Sequence, residues 1–401
     1  MNIKDLIVSG ASKEIYHLPG SLFEFHDTVM AHEGRNVPGI DYLFNIFDPY
    51  YYNHSSSIGM MLDRDNEWSK ELIEKYNREE HCHAAGSAVL KISNAFIKNS
   101  VLYFLNEDRY SILYESYRFP DRAGKVTELI DENSENISEI NSDGRPYLYI
   151  GSAGSFNYGH WLVDDLPRAK AWLDLRAKMD VTPIILMPSH GDKMNDIRFQ
   201  SLKELIDSNI EVEFIDPDKP VKIRDLYFCT PVSFHPRIKN PAAINFVRDQ
   251  SRYCVRKKYR EPDRKLFVAR RPPNSRSITN FEEVWAFLSA RGFEMVEPEN
   301  LNFVDQVTLF QNAKIVVGQM GAAMTSTMFC QPATPLIYLA PIGWAEPFYL
   351  DLAAVGGQHY NILAGPAAND GPAHMSDFSV PLGPLYHRMT YMGYMEIEKQ
   401  G

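Results

Sequence analysis

Apolar residues recur along this chain in two registers. Between 87 and 118 they alternate with polar ones, SAVLKISNAFIKNSVLYFLNEDRYSILYESY, which predicts a β-meander. Farther on, short runs rich in apolar residues predict strands: Pro146–Ile150, Pro183–Met187, Val212–Ile215, Val221–Cys229, Lys265–Arg270, Phe293–Val296, Lys314–Val317, Pro335–Leu339 and Gln358–Leu363. Those nearly free of polar residues, such as Lys314–Val317 and Pro335–Leu339, have the composition of buried parallel strands. Between them, helical spacing predicts helices at Asp196–Ser208, Pro241–Tyr259, Asn280–Arg291 and Asn302–Gln311. Asn280 and Asn302 stand at cap positions, and Gly292 stands where a helix ends. An earlier charged, amphipathic helix is expected at Glu67–Glu80. Strands alternating with helices define an α/β fold.

A chain of 401 residues exceeds one ordinary core, so two domains are expected. Thr230–Asn240 carries two prolines and interrupts the rhythm. The expected division is therefore 1–235, an α/β domain with a β-rich start, and 236–401, a second α/β domain with a C-terminal tail. The net charge of −11 argues against non-specific binding to nucleic acid or anionic membrane. Four cysteines, Cys82, Cys229, Cys254 and Cys330, show no CxxC spacing, which fits a reducing compartment without structural zinc. The first residues lack a charged-then-apolar leader pattern, and no apolar run matches a bilayer span, so a soluble cytoplasmic protein is expected.

Two stretches have chemistry written into them. In Ala313–Pro341, a strand runs into Gly318 and Gly321, then small residues at helical spacing, then a second strand. Gly318 is expected to supply the backbone freedom for the turn. Such a turn aims amides at an anion such as a diphosphate. An ordinary crossover reads the same way. Upstream, Arg270, Arg271 and Arg276 lie in a strand-end loop, where guanidinium groups bind phosphate oxygens bidentately or pair with surface acids.

The other stretch is Gly151–Lys178. Helical spacing puts His160, Asp164 and Arg168 on one line, with Trp161 and Asp165 beside it and Pro167 expected to kink the helix or to start a new one that Asp165 could cap. A His and an Asp at a strand's carboxyl end suit chemistry, yet they equally suit dipole complementation and packing. Two DxD pairs, Asp63-Arg64-Asp65 and Asp216-Pro217-Asp218, read as solvated turns rather than metal–nucleotide ligands. His81-Cys82-His83 has metal-ligand spacing with no second cluster in sequence to complete a site. No G-x-G-x-x-G dinucleotide fingerprint is present.

Several stretches together resemble glycosyltransferase family 61 of the bacterial capsular polysaccharide type. They are Asn157-Tyr158-Gly159-His160-Trp161, Asp164, Leu166-Pro167-Arg168, then Phe267-Val268-Ala269-Arg270-Arg271, Arg276, Asn280 and Glu283. The pattern continues through Phe293, Val296-Glu297-Pro298-Glu299-Asn300-Leu301, Gln306, Phe310, Ala313, Val316-Val317-Gly318, Gly321-Ala322 and Phe329. The resemblance implies GT-B architecture, two Rossmann-like domains facing across a cleft. It also implies an inverting transfer from a nucleotide-sugar to a saccharide hydroxyl, without an essential metal or other cofactor. A UDP-sugar is the favoured donor, and the setting is surface polysaccharide assembly, with peripheral association to an assembly complex.

Carried over by position, Arg270, Arg271, Arg276, Gly318, Gln319, Gly321, Ala322, Thr325 and Ser326 would face the donor. Asp164 or His160 would be the base, with Asp165 behind them, and Asn157, Trp161 and Arg168 would lie on the acceptor side. The chain departs from the family at Met320-Gly321-Ala322-Ala323, where His-Gly-Ala-Gly is usual, and at Ser326, where Asn is usual. A non-catalytic sugar- or nucleotide-binding scaffold is the alternative.

Overall fold

The computed structural model describes residues 15–16, 39–54, 59–61, 66–77, 81–106, 109–113, 116, 138–140, 144–152, 154–234, 236–255, 260–270 and 276–394. Asp63-Arg64-Asp65 and Arg271 lie outside the described residues. The first strands are β1 (Ile15–Tyr16), β2 (Ile40–Phe47), β3 (Tyr50–Asn53), β4 (Gly59–Met61), β5 (His81–Ala84), β6 (Ser87–Lys98) and β7 (Val101–Asn106). Next come β8 (Arg109–Leu113), β9 (Ser138–Ile140), β10 (Tyr147–Tyr149), β11 (Ile184–Pro188), β12 (Val212–Ile215) and β13 (Val221–Cys229). The chain continues with β14 (Ser233–Phe234), β15 (Ile238–Lys239), β16 (Arg264–Val268), β17 (Phe293–Val296), β18 (Ala313–Gln319), β19 (Pro335–Pro341) and β20 (His359–Gly365).

Two compact units result. The first comprises 1–51 and 83–250, the second 52–82 and 251–401. This differs from the expected division at 235/236: segment 52–82 joins the later half, and the break falls inside the helix Pro241–Cys254. Thr230–Asn240 is no spacer, because Ser233–Phe234 and Ile238–Lys239 pair as an antiparallel ribbon within the first unit.

The first unit's sheet runs β1-β8-β7-β6-β13-β10-β11-β12 among the described residues. The meander β6–β7–β8 is antiparallel, as its alternation predicts, while β13, β10, β11 and β12 are parallel. Leu90, Ile92, Leu102, Phe104, Tyr149, Leu186, Leu226 and Phe228 fill its core.

The second unit's sheet is parallel, in the order β17-β16-β18-β19-β20-β4. Strands β19 and β20 are buried almost end to end; β19 is apolar throughout, and the buried Asn361 of β20 donates to the Leu336 carbonyl. On one face, Phe267 packs against Phe281 and Trp285 of the helix Phe281–Ser289. On the other, Tyr338 packs against Tyr349 of the helix Pro347–Gly356. Asn302 caps its helix through the Asp305 amide. Asn280 does not cap; its side-chain amide instead bonds both backbone groups of Val380, tying the C-terminal segment to the helix start. No described helix is long and apolar enough to cross a membrane.

Candidate active site

Both sheets reverse their direction of winding at one place. In the first, β10, β11 and β12 step one way, and β13 returns to the other side of β10. In the second, β16 and β17 step one way, and β18 returns beside β16. The loops leaving the carboxyl ends of such strand pairs part in opposite directions, leaving a crevice where ligands bind in open α/β sheets. The sequence-predicted residues lie at these two points.

Leaving β10, Asn157 accepts the Gly159 amide and starts a helical turn, Tyr158–His160. The chain then widens into a π-helical turn, Trp161–Asp165, and tightens to a 3₁₀ turn, Leu166–Ala169, around Pro167. A proline has no amide to donate, and the change of winding accommodates this. It also changes the expected line of side chains. His160 and Asp164 meet, Nδ1 to Oδ2 at 3.0 Å, but Arg168 is rotated away and pairs with Asp165 at 3.4 Å.

Asp164 is held twice, since Oδ1 accepts the hydroxyl of Ser233, the first residue of β14. Ser233 was not singled out in the sequence because it falls among the prolines of Thr230–Asn240. His160 is the more open partner, its side chain 18% exposed against 8% for Asp164.

Asp165 is fully buried and unavailable as a base. It accepts Ser155 at 2.7 Å and Ser152 at 3.3 Å, closing the turn after β10. Arg168 is buried over the Phe228 ring, with Nη1 on the Gly151 carbonyl, so it supports the loop rather than an acceptor. Trp161 is also fully buried: its Nε1 donates to Ser201 and Arg198 lies over its ring. Burial lowers the Arg198 guanidinium to about 10, with Asp165 and Tyr149 acting the other way. The exposed aromatic here is Phe156, edge-on to His190.

In the second unit, Arg270 follows β16 and the Gly321 turn follows β18. A Cβ on Gly321 would lie 3.1 Å from Nη1 of Arg270 and 3.6 Å from Nη2 of Arg276, so both guanidinium groups rest against that backbone. Arg276 adopts left-handed backbone (φ +65°), uncommon for a residue other than glycine and held here by neighbours. Gln319 Nε2 donates to its carbonyl, Nη1 donates to the His374 carbonyl at 2.6 Å, and its guanidinium stacks on Trp344. Burial, then the like charge of Arg270, lowers the Arg276 guanidinium below its ordinary value.

Three expectations change. Gly318 has no positive φ; it lies within β18, and a Cβ there would come within 2.4 Å of Met324 Sδ and 2.8 Å of Val268 Cβ. Close packing, not turning, demands glycine. Ala322–Phe329 winds as a 3₁₀ helix rather than an α-helix. Thr325 and Ser326 are fully buried inside it, and the Ser326 hydroxyl meets Gln306 rather than facing outward. Met320, in the place of the family His, is buried, with its sulfur on the Glu346 amide. Ala322 is partly exposed at the turn.

Residues 158–337 match the family model described as Glycosyltransferase 61, an interval containing His160, Asp164, Ser233, Arg270, Arg276 and Gly321. The xylan glycosyltransferase MUCI21 of Arabidopsis thaliana is 30% identical over 135 residues, 32% of this chain and 27% of that protein. The chain thus spans about a quarter of that relative's length. Among solved structures, the dodecameric iron-containing heptosyltransferase TibC aligns over 84% of each chain at 12% identity, with a TM-score of 0.27 that bears no argument.

Proposed function

We propose that this protein is a glycosyltransferase of the family 61 type, moving a sugar from a nucleotide diphosphate donor to a saccharide hydroxyl. The observation that carries the reading is the pair Arg270 and Arg276 against Gly321 at the second sheet's switch point. Two adjacent guanidinium groups repel each other and gain from a ligand with several anionic oxygens, which a diphosphate offers. The family match and the sugar-transferring relative support the same reading.

The first unit supplies the proton acceptor. Both oxygens of Asp164 are engaged, by Ser233 and by His160, so its charge serves to orient the imidazole. With Nδ1–H donated to Asp164, the basic nitrogen of His160 is Nε2. That nitrogen takes the proton of the acceptor hydroxyl while its oxygen attacks the anomeric carbon. The carbon–oxygen bond to the diphosphate breaks, and the electron pair leaves with the nucleotide. Attack opposite the leaving group inverts the configuration. Arg270 and Arg276 stabilise the charge that grows on the leaving phosphate, without a divalent ion in that role. The donor is a UDP-sugar, the architecture GT-B and the setting surface polysaccharide assembly; these follow from the resemblance.

The test is turnover with a panel of nucleotide-sugars, without added magnesium or manganese. His160→Ala should abolish nucleotide release while keeping nucleotide binding, and Arg270→Ala should weaken binding. Wild-type-like turnover in His160→Ala would overturn the assignment. Nucleotide binding without turnover on any saccharide would favour the scaffold reading, in which Met320 replaces a donor contact.

A further inference from the structure

Away from both switch points, three side chains from distant parts of the sequence converge inside the second unit. His54 follows β3, Cys82 lies in β5, and Asp351 lies on the helix Pro347–Gly356. Nε2 of His54 is 2.8 Å from Oδ1 of Asp351 and 3.4 Å from Sγ of Cys82. The three atoms all lie within 4.8 Å of one another. Asp351 is fully buried, Cys82 is 4% exposed and His54 8%. Tyr52 donates its hydroxyl to the same Asp351 oxygen.

We propose that His54, Cys82 and Asp351 hold a zinc ion in a structural site. A single imidazole nitrogen carries either one proton or one lone pair, so it cannot make a good directed bond to a carboxylate and a thiol together. Three donor atoms gathered on one point are instead the arrangement that a shared ion imposes. Zinc bonds of about 2.0–2.3 Å place tetrahedral ligands about 3.3–3.8 Å apart. The 3.4 Å between His54 and Cys82 falls in that range, and the 2.8 Å between His54 and Asp351 would open by about half an ångström around the ion. The sulfur, nitrogen and oxygen set suits zinc and disfavours magnesium or calcium, which take oxygen ligands. One tetrahedral position remains for the second Asp351 oxygen or a water. Tyr52, bonded to the ligating carboxylate, orients it from outside.

Burial makes the site closed, as structural zinc sites are, rather than open to substrate. Its ligands tie segment 52–82 to a helix more than 250 residues downstream, beside the pairing of β4 with β20 and the contact of Tyr76 with Tyr360. For want of a second cluster in sequence, no metal is expected at His81-Cys82-His83; of the three only Cys82 joins the group, which His54 and Asp351 complete.

The experiment measures metal in the purified full chain by elemental mass spectrometry, then replaces it with cobalt(II). About one zinc per chain is expected. Cys82→Ser and Asp351→Asn should each lower retained zinc by about tenfold or more. Because these variants can fail to fold, the wild-type cobalt form provides a second reading. It should show sulfur-to-cobalt charge-transfer absorption that mercury reagents or Cys82→Ser remove. Zinc-free wild-type protein that takes up no cobalt, a cobalt form without the sulfur band, or unchanged zinc in a folded Cys82→Ser would each overturn the site. None of these readouts depends on sugar transfer.

Discussion

The hydroxyl of Ser233 donates to Oδ1 of Asp164, joining β14, which follows β13, to the helical turns that follow β10. The two residues are 69 positions apart, and the bond closes the first sheet's switch point. A hydrogen bond to a charged carboxylate contributes about 1.5–3 kcal/mol, and here it fixes the group that orients His160. Ser233→Ala is expected to lower kcat about tenfold with KM nearly unchanged, and Ser233→Thr to restore most of it, as measured by nucleotide release.

The two glycines around β18 should separate stability from binding. Gly318→Ala drives a methyl into Met324 and Val268, and should cost about 1–3 kcal/mol in urea unfolding. Gly321→Ala meets the flexible ends of two guanidinium groups at 3.1 Å and 3.6 Å and the Gln319 carbonyl at an ordinary 3.9 Å, so stability should hold while nucleotide affinity falls several-fold by calorimetry.

Asp165 is the anion of a buried polar layer with Arg168, Arg198 and two serines. Asp165→Ala leaves two guanidinium groups buried without it and should cost about 3–5 kcal/mol. Chemical unfolding followed by tryptophan fluorescence reads this, since Trp161 lies alongside.

His190 gives a pH signature. Burial, then the like charge of Arg198, lowers its imidazole to about 4, with Asp165 opposing. The unfolded chain therefore binds this proton at higher pH than the folded one does. Stability from His190 is full above the ordinary histidine value of about 6.5 and is lost as pH falls from there toward 4. Thermal midpoints of His190→Gln should fall less steeply across that window than those of the parent.

Where periodicity alone decides structure, the sequence was legible. The parallel strands, the meander and the Asn302 cap all lie where their patterns put them, because burial on both faces or one leaves a direct trace in residue type. His160 and Asp164 were legible as a pair because four-residue spacing survives a local change of winding. Arg168 was not, because a π turn and a proline rotate everything after Asp164. Ser233, Trp344 and Asp351 were invisible for another reason: their partners lie 68 to about 300 positions away, and only sheet order brings such residues together.

The early segment 52–82 belongs to a unit whose other strands come last in the chain. On the ribosome, β4 emerges long before β20, its pairing partner about 300 residues later. At synthesis rates of 5–20 residues per second, that segment waits roughly 15–60 s for its sheet. The first unit can close meanwhile, but the second cannot be made from 251–401 alone without leaving β20 as a bare edge open to other strands. Dissecting this protein into expressible halves therefore calls for a circular rearrangement that carries 52–82 along, rather than a cut.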